Sequence, residues 1–240
     1  MTASEPLPED WERALAIVAH PDDLEYSCAA AVARWTAQGK SVSYLVASHG
    51  EAGIDGLAPD VARGVRDDEQ VRSAAAVGVG AVEFLDHPDG TIEYSLRLRR
   101  DLVQAVRRHR PEVLLSLNPH LRTAGGGPNM ADHRAVGTAV LDAARDAGNR
   151  WLFRGAPSED PETWAGVRLV CFAASASPTH IVDVTEFVDR GIAALQAHRS
   201  YLAGIGREFD PGTYLRGELS RAGERAGLAY AIELEVWRLS

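Results

Sequence analysis

The sequence predicts an α/β fold: a doubly wound, mostly parallel sheet with a small C-terminal α+β extension. Two observations carry that expectation. Short apolar runs alternate with longer segments of helical period through most of the chain, the pattern of a parallel sheet covered by helices on both faces. Each helical segment also shows one apolar stripe rather than an apolar surface all round. In order, residues 14–19, 42–47, 82–85, 113–117 and 169–173 are the strand candidates. Between them Cys28, Val32 and Trp35 recur at i, i+4, i+7, as do Val136, Val140 and Ala143. Leu98, Leu102 and Val106 form a further stripe before Pro111 stops the helix. Farther on, 181–184 read as a strand, 185–202 as one helix, and 231–239 as a late strand, an antiparallel edge strand or small β extension. The loops TAGGGPN and RGAPSEDPE are the segments expected to move, and either would serve as a lid. With 240 residues and no internal repeat, a single domain over 1–240 is expected. In such a fold ligands bind outside the carboxyl ends of the strands.

Composition narrows the partners. The formal charge is −9 and the basic residues are scattered, which argues against nucleic acid or an anionic membrane and for a small-molecule substrate. Cys28 and Cys171 form no CxxC pair, so neither a disulfide framework nor a thiolate zinc site is indicated. The N-terminal MTASEPLPEDWER lacks the basic and apolar regions of a signal peptide, and no apolar run is long enough to span a bilayer. A cytoplasmic protein without membrane insertion is expected. Acidic clefts and mobile loops are compatible with a homo-oligomer.

The chemistry concentrates in Ala19-His20-Pro21-Asp22-Asp23-Leu24-Glu25, where the first strand ends and a helix begins. A dinucleotide-binding turn would be glycine-rich there; two carboxylates repel phosphate and attract a cation. His20 and Asp23 supply one imidazole nitrogen and one carboxylate oxygen, an acceptable start for Zn2+. The plain alternative is that the aspartates complement a helix dipole while His20 packs in a turn. A third ligand tips the balance: His133, in NMADHRAVG, follows another predicted strand and opens another helix. Two histidines and a carboxylate leave a fourth zinc position open, and water bound there would titrate near about pH 7. Asp22, next to a ligand yet free of the metal, would accept the water's proton. Asp132 would orient the ligand histidine or cap the helix.

AHPDDLE resembles the AHPDDE signature of the GlcNAc-phosphatidylinositol de-N-acetylase family (PIG-L or LmbE-like), and DHRAVG is similar to its second motif. ARGVRDDEQVRSAA resembles the family's Arg-x-x-Glu helix, and the likeness runs from the first strand to the helix around His198. The resemblance implies a Rossmann-like fold and zinc-dependent removal of acetyl or other acyl groups from amino sugars and related conjugates. By position it implies His20, Asp23 and His133 as zinc ligands, Asp22 as general base, Arg66 and Asp89 as substrate contacts, and Glu69 as scaffold.

One departure stands out. The family's second motif is usually His-x-x-His, its first histidine stabilising the oxyanion; this chain has Met130 there, and a thioether donates no hydrogen bond. His198 is a candidate replacement, since ALQAHRSY resembles a family segment with a histidine near the pocket. It also shares an apolar helical face with Ile192 and Leu195, as a satisfied core histidine would. His180 and Asn129 are further candidates, Asn129 being equally explained as turn chemistry. His49, His87 and His120 read as loop or turn residues, and His109 as complementing a helix C-terminus. The leading reading is therefore a zinc-dependent amidase. The alternative is a metal-binding relative with lost catalysis that binds ligands or regulates; a metal-free nucleotide enzyme ranks last because the first turn lacks glycine.

Overall fold

Residues 13–18 have side chains that leave the backbone to alternate faces of a sheet, and both faces are covered. Leu15 and Ile17 enter one apolar cluster, while Ala14, Ala16 and Val18 enter another. In the computed structural model, which describes residues 5–154, 162–205 and 209–239, this segment is strand β2 (Arg13–Val18) of a single sheet. The other strands are β1 (Glu5–Pro6), β3 (Ser41–Val46), β4 (Val82–Phe84), β5 (Val113–Leu117), β6 (Leu169–Ala173), β7 (His180–Asp183) and β8 (Ala231–Arg238). Their order is β1-β7-β8-β6-β5-β2-β3-β4. The α/β, mostly parallel architecture expected from the sequence is present, and the chain reverses its direction of winding between β2 and β5. That crevice is the topological switch point at which such sheets bind ligands.

Helices α1 (Asp23–Ser27), α2 (Ala29–Ala37), α6 (Val188–Gln196) and α8 (Pro211–Ala226) supply apolar residues to one face of the sheet. Helices α4 (Leu96–His109) and α5 (Ala131–Asp146) supply the other. Helix α3 (Pro59–Ala76) packs against α6 and against the short α7 (Arg199–Gly204). Gly137 sets the position of α5: a Cβ there would lie 2.6 Å from the Leu117 carbonyl oxygen at the end of β5. Only glycine allows that approach, and it carries His133, one turn earlier on the same helix, to the sheet's ligand edge.

Two expectations need correction. The helix expected over 185–202 is two helices, interrupted at Ala197 and His198, because the Glu69 carboxylate accepts hydrogen bonds from Ser200 N at 2.6 Å and Tyr201 N at 3.3 Å and so restarts the helix. The late strand is not at an edge: β8 lies between β6 and β7, antiparallel to both, so the C-terminal part extends the one sheet. Helix α8 was not anticipated, since Gly212, Gly217 and Gly223 weaken its pattern. Its start was nonetheless written in Asp210-Pro211, where the Asp210 carboxylate accepts from Thr213 N at 2.7 Å. The TAGGGPN loop lines the cleft described below; most of RGAPSEDPE, residues 155–161, lies outside the described residues. Among the described residues no helix is long and apolar enough to cross a membrane.

Candidate metal centre

The turn after β2 folds back on itself through Asp23, whose Oδ2 accepts from Ala19 N at 3.0 Å and His20 N at 2.9 Å. Its Oδ1 is thereby aimed at two imidazoles, 3.6 Å from His20 Nδ1 and 3.1 Å from His133 Nε2. The two rings lie 5.2 Å apart between centroids. His20, Asp23 and His133 thus offer two nitrogens and an oxygen within 4.8 Å of one another. His20, Asp89 and Asp132 form a second such group among the described residues, but there the carboxylates face the other nitrogen of the same imidazole.

That second group explains how His20 is prepared. Its Nε2 lies 3.1 Å from Asp132 Oδ2 and 3.2 Å from Asp89 Oδ1. Carboxylates only accept, so Nε2 carries the proton and Nδ1 presents its lone pair toward Asp23 and His133. Asp132 is fixed by Gly90 N at 2.8 Å and Ile92 N at 3.1 Å, Asp89 by Ala52 N at 2.8 Å. His133 is oriented the same way: Asn129 Oδ1 is 3.2 Å from Nδ1, leaving Nε2 buried and without a hydrogen bond. The Asn129 amide nitrogen is committed to the carbonyls of Asn118 and His120, so it cannot donate into the cleft. Two imidazole nitrogens, of which His133 Nε2 is buried without a hydrogen bond, and one carboxylate oxygen fit a divalent cation. The electrostatics agree: burial raises the Asp23 carboxyl, but the facing His133 and His20 hold it far below the usual carboxylate range. Burial also opposes protonation of His20, yet Asp23 and Asp132 raise it well above its ordinary value, so without a cation Nδ1 also carries a proton, whose place a bound cation would take.

Asp22 occupies the N-cap of α1 with φ 95°, a left-handed backbone that non-glycine residues seldom adopt. Burial pushes its carboxyl up to about 6; Asp23 adds to the rise and Arg66 opposes it. Arg66 is buried, donates from Nη2 to the Pro21 carbonyl and to Asp22 Oδ2 at 3.2 Å, and stacks 4.1 Å from the Tyr201 ring centroid. Its Nε and Nη1 have no partner. Gly53 makes room for it, since a Cβ there would lie 2.7 Å from Nη1. His20, Asp22, Asp23, Arg66, Asp89 and His133 all line one cleft of about 700 Å³.

The structure does not bring His198 to the cleft wall. It is fully buried behind Glu25, with Nε2 3.7 Å from Glu25 Oε2. Met130 is the N-cap of α5 and stands at the cleft, 54% exposed. Glu69 supports α7 as already described. The remaining histidines are held away from the centre by carboxylates or hydroxyls: His49 by Asp67, His87 by Asp101, His109 by Glu83, His120 by Glu235 and His180 by Thr179. Sequence reasoning missed Gln70 and Tyr201. Gln70 had a signal, its i+4 spacing from Arg66 on one helix face; Tyr201 had none, because the helix break that aims it is set by Glu69.

The sequence family described as PIG-L, GlcNAc-PI de-N-acetylase, matches residues 15–144. A diacetylchitobiose deacetylase of Thermococcus kodakarensis is 28% identical, over 92% of this chain and 82% of the relative. A 1D-myo-inositol 2-acetamido-2-deoxy-alpha-D-glucopyranoside deacetylase of Acidothermus cellulolyticus is 27% identical, over 81% of each. The solved structure of N,N'-diacetylchitobiose deacetylase from Pyrococcus horikoshii, complexed with its inhibitor MPG, superposes with a TM-score of 0.85 at 21% identity, covering 96% of this chain and 85% of that one. With the match spanning more than half of its length and containing every residue of the metal centre, the chain belongs to the GlcNAc-PI de-N-acetylase (PIG-L) family.

Proposed function

We propose that this chain, as one domain over 1–240, is a zinc-dependent hydrolase that removes an acetyl or other acyl group from the amide nitrogen of an N-acetylglucosamine-type sugar or glycoconjugate. The observation that carries the reading is the convergence of His20 Nδ1, Asp23 Oδ1 and His133 Nε2 beside the strained, buried Asp22 in one cleft. Held by those three atoms, zinc would supply Lewis acidity toward the amide carbonyl and lower the pKa of water. Asp22 takes the proton from water and returns it to the departing amine, a transfer suited to a carboxyl raised toward neutrality. Arg66 fixes Asp22 through Nη2 and lines the cleft as a substrate contact. Tyr201, whose phenol is pushed well above its ordinary value by burial and by the Asp22 charge, stays a hydrogen-bond donor. Asp89 holds His20 and also lines the cleft, so it serves ligand positioning and substrate contact together. His198 acts through Glu25 as a positioning residue. The named activities of the relatives support catalysis over the ligand-binding alternative. Free, buried Cys28 and Cys171 agree with a cytoplasmic setting.

The deciding experiment is acetate release from N-acetylglucosamine derivatives by zinc-loaded protein, wild type against Asp22→Asn. The expected result is turnover that falls by two orders of magnitude or more, roughly, in the variant. Full activity in Asp22→Asn overturns the general-base assignment, and metal-independent turnover overturns the zinc assignment.

A further inference from the structure

We infer that the cleft carries a second, apolar subsite that binds a hydrocarbon or aromatic substituent of the substrate; this rests on the deacylase reading of the metal centre in the same cleft. A volume of about 700 Å³ lies toward the upper part of the range of roughly 300–1,000 Å³ that encloses drug-sized ligands. The charged residues of the metal centre make up only part of its lining. Another part is the wall of Tyr26, Tyr214, Leu215, Leu219, Ala222 and Ile232, side chains that offer a ligand dispersion contact and, apart from the two phenols, no hydrogen bond.

The wall is rigid. Leu215, Leu219 and Ile232 belong to the main apolar cluster, and α8 packs directly on β8. Tyr26 and Tyr214 meet edge to face at 5.8 Å, and Phe209 packs against both at 6.0 and 5.3 Å. Interlocked aromatic rings present area at little entropic cost. Charges beside this wall are spent on each other: Arg225 makes a two-point contact with Glu233 at 2.9 and 2.6 Å, and Arg221 pairs with Glu218. A second sugar ring bound there would leave most of its hydroxyls without partners, whereas an alkyl or aryl group would lose nothing on leaving water. Tyr26 ties the subsite to the chemistry, three residues after Asp23 on α1. The rest of the wall comes from 214–232, beyond the residues that match the family.

An apolar group at that wall sits either on the sugar, as an aglycone, or on the acyl chain, and ligand choice separates the two. Calorimetric affinities would be measured on zinc-loaded Asp22→Asn protein for four ligands: the methyl glycoside of N-acetylglucosamine, its octyl glycoside, the N-octanoyl methyl glycoside, and the disaccharide of two N-acetylglucosamine units. One octyl ligand is expected to bind about tenfold or more tighter than the methyl glycoside, and its identity places the substituent. Tyr214→Ala, at a half-exposed position that tolerates truncation, is expected to remove most of that difference, as is the more disruptive Leu219→Asp. Octyl ligands that bind no tighter than the methyl glycoside overturn the subsite, and a disaccharide that outbinds both assigns the wall to a second sugar instead. Turnover of the methyl glycoside by wild-type enzyme is read separately: its absence overturns the deacylase reading and leaves the affinity comparison standing.

Discussion

Gln70 holds Asp22 from behind: its Oε1 accepts the Asp22 backbone N–H at 2.9 Å while its Nε2 donates to Glu25 Oε1 at 3.0 Å. Ser73 donates to the same Glu25 oxygen at 2.6 Å. Burial opposes ionisation of Glu25, but His198 and these donors keep its carboxyl below the ordinary range. A buried anion therefore anchors a neutral amide, and the amide anchors a residue at φ 95°. Left-handed backbone at a non-glycine residue costs about 1–3 kcal/mol and persists only where surroundings impose it. Gln70→Leu is expected to leave a buried N–H unpaired, lowering stability by about 1–3 kcal/mol, and to lower kcat about tenfold with KM little changed as Asp22 loses its aim. Urea melts and initial rates check both. Lost stability with unchanged kcat would leave Gln70 a scaffold residue only.

Metal removal tests the centre independently of any substrate. With its ion gone, Asp23 Oδ1 faces two imidazoles without the cation between them, and chelated protein is expected to melt lower than zinc-reconstituted protein. A ligand at a thousandfold excess over its Kd adds about 4 kcal/mol, which for a chain of this size is about 10 °C in Tm. His133→Ala is expected to abolish the zinc-induced shift. A shift that survives in His133→Ala would place the ion elsewhere, the His20, Asp89 and Asp132 group being the first place to look.

How legible all this was depended on whether a feature is local. The strands were readable because most are short, mainly apolar runs, and the site motifs because they sit at strand ends, where a doubly wound sheet gathers its ligands. His20 and Asp23 are three residues apart, and the turn that joins them is made by their own hydrogen bonds. What could not be read depends on partners distant in sequence. The break before α7 is caused by Glu69, some 130 residues earlier. Asp132 could be read as a cap or as a histidine's partner, but not as the partner of His20 rather than of its neighbour His133. The placing of β8 inside the sheet follows from pairing with β6 and β7 together, which alternating apolar residues alone do not specify.

The two cysteines give a test of pH behaviour away from the centre. Burial pushes the thiols of Cys28 and Cys171 up to about 12 each. A free thiol titrates near about 8.5, and only the thiolate is nucleophilic. At pH 8 both are thus neutral as well as covered, the reactive fraction growing only as pH climbs toward 12. Native protein is expected to show no labelling by a disulfide reagent over minutes at pH 8, and both thiols in denaturant. Rapid labelling of either thiol in the native state would mean that its helix or strand opens locally.

Met130 offers the sharpest test of the chemistry. It caps α5 at the cleft, three residues before His133, with its thioether exposed and no hydrogen to donate. Asn129 cannot compensate, because both amide hydrogens serve the 118–120 backbone. An oxyanion donor is worth roughly two to three orders of magnitude in kcat. Met130→His restores a donor on the same turn as the ligand His133, and because the side chain is exposed the substitution disturbs no core. The expected outcome is a gain of roughly tenfold or more in kcat toward N-acetyl substrates, less than the full value because nothing yet orients the new imidazole. Comparing kcat with KM separates this from tighter binding, which would lower KM alone. No gain would mean that the oxyanion already has its donor, and Arg66, which lines the cleft, would be tested next, with Arg66→Lys keeping the charge while removing the planar fork.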